Sequence, residues 1–340
     1  MRKLLLKLGD YLFVMRPLIL VPAWSFYLLG SAAGKRTAGV TPAWLDWTPG
    51  APAPFYLGFA CLTAILVSAY LLNQIFDQES DRLNDKGHFL TRGIFTPRTV
   101  LVMAVASFLV ASFLYRYVAP AQREVLVLAV MLSLAYSAPP LRLVARPYVD
   151  LLANAVGYGG IAYVAGFAAW SPRLDHAAVL SIPYLFLVGA AFLHTTLLDA
   201  AGDRQSDKRT TTVAIGDDRS VSLSCVLVMA GMGPAVAISF LRFGDWMAPV
   251  LLGLCAVIVV LAALRSGRPG TTVPSSRVVQ LVTVVVTVPA AAAWPVYLVL
   301  LVPVILAARF YYTARFGITY PGPGRPAKNA SAGASGPPLN

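Results

Sequence analysis

Asn73, Asp77, Asp81 and Asp85 recur every four residues, and Asp199, Asp203 and Asp207 repeat the spacing in the second half of a 340-residue chain. At 3.6 residues per turn, side chains four apart stack along one helix face, about 6 Å from one another. Carboxylates held that way repel, which disfavours the helix unless a cation bridges them. Oxygen donors suit a hard ion, and magnesium takes one or two carboxylates and fills its shell with water and phosphate oxygens. Two facing Asp clusters could therefore clamp two Mg2+ ions on a diphosphate. Bases near the clusters would neutralise the remaining charge: Lys86 and Arg92 after the first, Lys208 and Arg209 after the second, Arg142 and Arg146 between them.

The elements that carry these residues are apolar. Of the residues, 58% are hydrophobic and 12% charged, against about a quarter charged in a soluble domain. Windows near 14–33, 54–76, 99–118, 124–139, 150–170, 177–198, 220–240 and 247–264 are apolar enough to span a bilayer, and 278–312 is too long for one ordinary span. That last stretch holds either one tilted helix or two short ones divided at Trp294-Pro295. The expected fold is an all-α polytopic bundle of nine or ten transmembrane helices over residues 1–320, followed by a disordered Gly/Pro/Ser-rich tail over 321–340. The basic start followed by an apolar run is read as a retained first helix rather than a signal peptide.

The acids are concentrated. The chain has 15 Asp and Glu residues, and most lie in the two loops after the second and sixth spans. Acids that only marked helix exits to water would scatter. Burying Asp at the bilayer centre costs about 2.5–3.5 kcal/mol on insertion scales, so both clusters belong at the membrane edge. Lys and Arg gather at the N-terminus and in the loops after even-numbered spans, while the opposite loops carry Lys35, Arg36, Arg116, Arg123, Arg173 and Arg242. The positive-inside rule then puts the N-terminus and both Asp clusters in the cytoplasm. The net charge of +12 is spread over short loops and forms no stripe for nucleic acid. Cys61, Cys225 and Cys255 lie in apolar segments with no metal or disulfide spacing.

The stretch Asn73-Gln-Ile-Phe-Asp77-Gln-Glu-Ser-Asp81 resembles the N-x-x-x-D-x-x-x-D motif of UbiA-type intramembrane prenyltransferases, and Asp199-Ala-Ala-Gly-Asp203-Arg-Gln-Ser-Asp207 resembles their second motif. Tyr136-Ser-Ala-Pro-Pro140-Leu-Arg142 is similar to a third family feature, and Arg16-Pro17 to a fourth. The resemblance implies a pseudo-symmetric helix bundle binding Mg2+ and a polyprenyl diphosphate. Asn73, Asp77, Asp81, Asp199, Asp203 and Asp207 would then hold metal, with Asp77, Asp81, Asp199 and Asp203 catalytic. Lys86, Arg92, Tyr136, Arg142, Lys208 and Asn73 would bind substrate. His88-Phe89 stands where many relatives have Arg-Pro, so His88 or Arg92 would substitute for that contact. Asn73-Gln74 resembles homogentisate-type members and favours an aromatic quinone precursor as acceptor.

The expected reaction is cleavage of the allylic C–O bond, with the cation-like carbon facing Tyr70, Tyr136, Tyr158 or Tyr163. Asp150 is either the base for the acceptor proton or a helix cap. His194, an ionisable residue inside a span, is either functional or a helix-to-helix hydrogen bond. The competing reading is a secondary transporter, whose ion sites belong on broken helices at the midplane. The D-G-x-x-A-R pattern of phosphatidyltransferases is absent.

Overall fold

The computed structural model describes residues 2–40, 50–240, 247–266 and 275–318, and among them only helices and turns. The tail expected to be disordered lies outside the described residues. In chain order the helices are α1 Arg2–Val14, α2 Pro17–Thr37, α3 Ala53–Phe76, α4 Gln78–Leu83, α5 His88–Thr91, α6 Pro97–Leu114, α7 Pro120–Ser137 and α8 Val149–Asn154. A π-helical segment, Ala155–Ala162, joins α8 to α9 Tyr163–Phe167. There follow α10 Leu174–Leu197, α11 Ala200–Gln205, α12 Thr211–Ile215, α13 Asp217–Ile238, α14 Met247–Ser266, α15 Ser275–Ala293 and α16 Tyr297–Phe316. Eight helical segments are long and apolar enough to cross a membrane: α2, α3, α6 with its 3-10 end, α10, α13, α14, α15 and α16.

Each expected apolar window contains helix. The 278–312 stretch resolves into two helices, because Pro295 cannot continue α15 and the chain turns at Trp294–Val296 before α16 begins. The start of the chain departs from expectation. Residues 2–14 form a separate helix, α1, with Leu4, Leu5, Leu8 and Leu12 exposed along one face. Pro17 disfavours helical geometry in the residue before it. Helix α1 stops short of Arg16, which takes a left-handed conformation, φ 54°, as the chain swings into α2.

α2 is the central post, packed against α9, α15 and the π segment. Gly30 and Gly34 on α2 and Gly166 on α9 let the two backbones meet; a Cβ on Gly30 would lie 1.9 Å from the Tyr163 carbonyl oxygen. Small residues spaced this way drive close packing where lipid gives no hydrophobic force between helices. α3 packs on α6 and α10 on α13, so the two helices that end in the Asp motifs hold matching places in the two halves.

Candidate active site

The two motifs fold alike. α3 and α10 are each 24 residues long. Each gives way at its first aspartate, Asp77 or Asp199, to a six-residue helix, α4 or α11. The Asp81 amide donates to the Asp77 carbonyl at 2.8 Å, and that of Asp203 to the Asp199 carbonyl at 2.9 Å. Asp85 and Asp207 then take left-handed backbones, φ 49° and 53°. The following lysine amides turn back onto Asp81 (2.7 Å) and Asp203 (3.0 Å).

α4 packs against α11, which brings the motifs face to face. The Gly202 amide donates to Asn84 Oδ1 at 3.0 Å, and a Cβ at 202 would meet the Asn84 side chain at 2.5 Å. A side chain at 202 would have to displace Asn84 and its bond to the 202 amide. The lysines cross: Lys86 of the first motif pairs with Asp199, and Lys208 of the second donates to Asp77 Oδ2 at 2.7 Å. Asp77 is buried and also receives Asn73 Nδ2 at 3.0 Å and Arg142 Nη2 at 3.4 Å. Arg16 reaches Asp81 at 3.1 Å, so the left-handed turn before α2 delivers a cation to the first motif.

Asp203 is different. It is 2% exposed, yet among the described residues no cation lies within ion-pair distance of its carboxylate. Burial pushes its pKa up to about 6; Lys208 opposes the shift and Asp199 and Asp77 reinforce it. Asp81 is also raised by burial, against the pull of Arg16. For Lys208 burial favours the neutral form, but Asp77 and Asp203 outweigh it and raise the ammonium's pKa.

Of the residues expected at the site, Asn73, Asp77, Asp81, Lys86, Arg142, Asp199, Asp203 and Lys208 come together in this network. Tyr136 lies beside it, its hydroxyl accepting from Asn154 at 2.7 Å and close enough to Asp77 to interact electrostatically. Asp207 is exposed at the rim. Arg92 approaches Asp85 only at 4.0 Å and lays its guanidinium over Phe316, 5.3 Å from the ring centre. Tyr70 and Tyr158 share a hydroxyl–hydroxyl contact, with Tyr158 carried on the π segment. Such segments often mark functional sites.

Three residues weighed in the sequence have structural work. Asp150 is fully buried and accepts from the Thr211 amide at 2.8 Å, the Thr211 hydroxyl and the Leu151 amide at 2.8 Å, tying the loop after Lys208 to α8. His194 bonds Ser224 at 3.1 Å and lies 3.4 Å from Ser275, the helix-to-helix role. Gln74 is buried and donates to the Val14 carbonyl at 2.9 Å, anchoring α1, so of the Asn73-Gln74 pair only Asn73 contacts the Asp cluster. Sequence reasoning missed Arg16 on Asp81 and Asn84 on Gly202; the signals were Arg16-Pro17 and an Asn closing the first motif.

A bundle of apolar helices with two facing Asp motifs at one rim defines an integral, multi-pass membrane protein with a polar site at the helix ends. Residues 37–277 match the UbiA prenyltransferase family. The chain belongs to that family and is a prenyl-group transferase. It is 32% identical over 205 residues to digeranylgeranylglyceryl phosphate synthase of Halobacterium salinarum, covering 57% of this chain and 69% of that protein. It is 26% identical over 255 residues to the bacteriochlorophyll synthase 34 kDa chain of Chloroflexus aurantiacus, covering 73% and 76%. In fold it is similar to a UbiA homologue from Archaeoglobus fulgidus whose structure holds GPP and Mg2+, with a TM-score of 0.64, 20% identity, and coverage of 84% of this chain and 98% of that one.

Proposed function

We propose that the chain transfers a prenyl group from a polyprenyl diphosphate to a hydrophobic acceptor, by Mg2+-assisted ionisation at the paired Asp motifs. The observation that carries this is the crossed pairing of Lys86 with Asp199 and Lys208 with Asp77, which makes one site from two segments over 110 residues apart in sequence.

The residues suit magnesium. Among the described residues no group of three His, Cys, Asp or Glu side chains forms a metal cage by itself. An ion that takes one or two carboxylates and completes its shell with water and phosphate needs no such cage. Asp203, buried without a cation, supplies the uncompensated charge such an ion would neutralise. Asn73, Asp77, Asp81, Asp199 and Asp203 would hold it, with Asp207 contributing through water. The ion's chemistry would be to offset charge gathering on the leaving diphosphate.

The protein's own groups do the rest. Lys86, Lys208, Arg16 and Arg142 exchange carboxylate partners for diphosphate oxygens. Arg142 brings a buried Nε with no hydrogen-bond partner among the described residues. Preorganised donors of this kind stabilise charge that develops only as the bond breaks. The C–O bond cleaves with its electron pair leaving on the diphosphate. Tyr70, Tyr136 and Tyr158 offer ring faces to the allylic cation. The acceptor forms the new bond and loses a proton.

For the acceptor we favour an aromatic quinone precursor. Every cation in the network already faces an aspartate, and none is set aside for a phosphate on the acceptor. We also infer ten spans, with α7 and the α8–α9 stretch crossing alongside the eight apolar segments. Both termini and the Asp motifs then face the cytoplasm, where the Lys and Arg bias puts them. The test is mass spectrometry of products from purified protein given one prenyl diphosphate, Mg2+ and a panel of aromatic, tetrapyrrole, carotenoid and glyceryl phosphate acceptors. Prenylation of an aromatic acceptor is the expected result; prenylation of glyceryl phosphate alone would overturn the acceptor assignment.

A further inference from the structure

The Asp10 carboxylate on α1 is buried and takes Arg315 in a two-pronged contact, Nε at 2.9 Å and Nη2 at 3.1 Å, together with the Tyr311 hydroxyl. Phe13 stacks on Tyr311 with ring centres 4.4 Å apart. The first and last described helices are thus clasped together. Both lie outside the segment 37–277 that matches the family.

Two arms lead from the clasp to the Asp motifs. Along α1, Val14 is held by Gln74 of α3 at 2.9 Å, and two residues later Arg16 reaches Asp81 at 3.1 Å. Across α16, Phe316 and Tyr311 pack against α5. The Phe89 ring centre lies 5.7 Å from that of Phe316 and 6.3 Å from that of Tyr311, and His88 lies 5.2 Å from Phe316. α5 begins one residue after Gly87, next to Lys86, which reaches Asp199. Arg16 and Lys86 are therefore each borne on a segment the clasp steadies. A two-pronged guanidinium contact on a buried carboxylate fixes geometry as well as energy, because removing Arg315 leaves the buried Asp10 charge uncompensated.

We propose that the Asp10–Arg315 clasp is a positioning device for the prenyl diphosphate site. It holds Arg16 and Lys86 in place before the diphosphate arrives, which makes α16 a working part of the site; the inference rests on the prenyl-transfer reading above. Asp10, Arg315 and Phe316 are positioning residues that act through Arg16 and Lys86.

The experiment is titration of full-length protein in nanodiscs with geranylgeranyl diphosphate and Mg2+, for wild type, Asp10→Asn, Phe316→Ala and Phe316→Tyr, with unfolding temperatures alongside. Phe316→Ala removes packing on α5 without stranding a charge, so it decides the matter if Asp10→Asn does not fold. A small displacement of a binding group far from the chemistry costs affinity steeply, and we expect the Kd to rise about tenfold in both variants. The KM for prenyl diphosphate should rise with it, while the acceptor's KM holds, and Phe316→Tyr should restore both. Folded Phe316→Ala protein with wild-type Kd would overturn the clasp proposal alone. Wild-type protein that binds no geranylgeranyl diphosphate with Mg2+ would remove the prenyl-transfer reading, and the clasp's role with it.

Discussion

The two Asp motifs share a backbone and differ in charge balance. In the first, Asp77 is met by Asn73, Arg142 and Lys208, and Asp81 by Arg16. In the second, Asp199 has Lys86, and Asp203 is buried with no cation on its carboxylate among the described residues. Duplicated geometry with unequal neutralisation gives the halves unequal tasks. The first motif is preset around the cations that will meet a diphosphate. The second keeps unspent negative charge, where an added divalent ion gains most.

The largest expected effect separates the motifs from everything around them. Asp77→Ala and Asp203→Ala should each lower Mg2+-dependent diphosphate release by on the order of 10²–10³-fold, as loss of a preorganised electrostatic group does elsewhere. A diphosphate-release assay, coupled to inorganic pyrophosphatase at saturating prenyl diphosphate, measures it. Equal losses would confirm one shared site, whereas loss in only one variant would make the halves independent.

The lysines come next. Lys208 and Asp77 are both largely buried, with side chains 11% and 6% exposed. Taking Lys208 away leaves the buried Asp77 carboxylate with only Asn73 and the more distant Arg142, and Lys208→Ala should destabilise the protein by about 3 kcal/mol, the low end for a broken buried pair. Lys86 and Asp199 are far more open, at 43% and 32%. Their pair is worth about 0–1 kcal/mol, so Lys86→Ala should melt near wild type while its KM for prenyl diphosphate rises. Thermal unfolding of both variants, set beside their kinetics, reads the asymmetry directly.

Asp203 also gives the comparison a pH signature. Its folded-state pKa, up to about 6 through burial, exceeds the ordinary carboxylate value, so the metal-free folded state binds more protons than the unfolded chain between the two. The stabilising contribution is present at low pH and is lost as pH rises through about 6. Unfolding temperature measured with chelator should fall across that window. Asp203→Asn should flatten the fall, and Mg2+ with a prenyl diphosphate should do the same, since binding selects the carboxylate form. Apparent Mg2+ affinity should weaken below about pH 6 for the same reason.

The smallest effect belongs to Asp207, exposed on a left-handed backbone at the rim. Asp207→Asn keeps that conformation accessible, because Asn tolerates it. Activity should drop only about threefold, in keeping with a contact made through water. A loss as deep as that of Asp203→Ala would show Asp207 to be a direct ligand.

Much of this was legible in the sequence because it rests on local periodicity. The four-residue repeat marks each motif even though the chain passes from one helix to a second at Asp77 and Asp199 and leaves helix before Asp85 and Asp207, and the apolar windows are a property of single spans. The concentration of acids at two span ends placed the site at a rim. What the sequence hid was long-range or depended on an irregular turn. Lys208 meets Asp77 because α10 and α3 occupy matching positions, which no window can show. Arg16 reaches Asp81 from a left-handed turn between α1 and α2. α1 is short and falls in the basic start ahead of the first apolar window, so no span marks it. Asp150 drew attention as a polar residue at a span end and Gln74 as part of a family dipeptide, and both prove to be ties between helices. Arg92 stands near enough in sequence to be a diphosphate contact, but the ring of Phe316 holds its guanidinium.

Both motifs contribute to one proposed ion-and-diphosphate site. Electron paramagnetic resonance of Mn2+ substituted for magnesium, titrated into wild type, Asp77→Ala and Asp203→Ala with and without a prenyl diphosphate, tests that directly. We predict ordered Mn2+ that tightens when the diphosphate is added and is lost in both variants alike. Full Mn2+ binding retained in Asp203→Ala, with loss confined to Asp77→Ala, would contradict it.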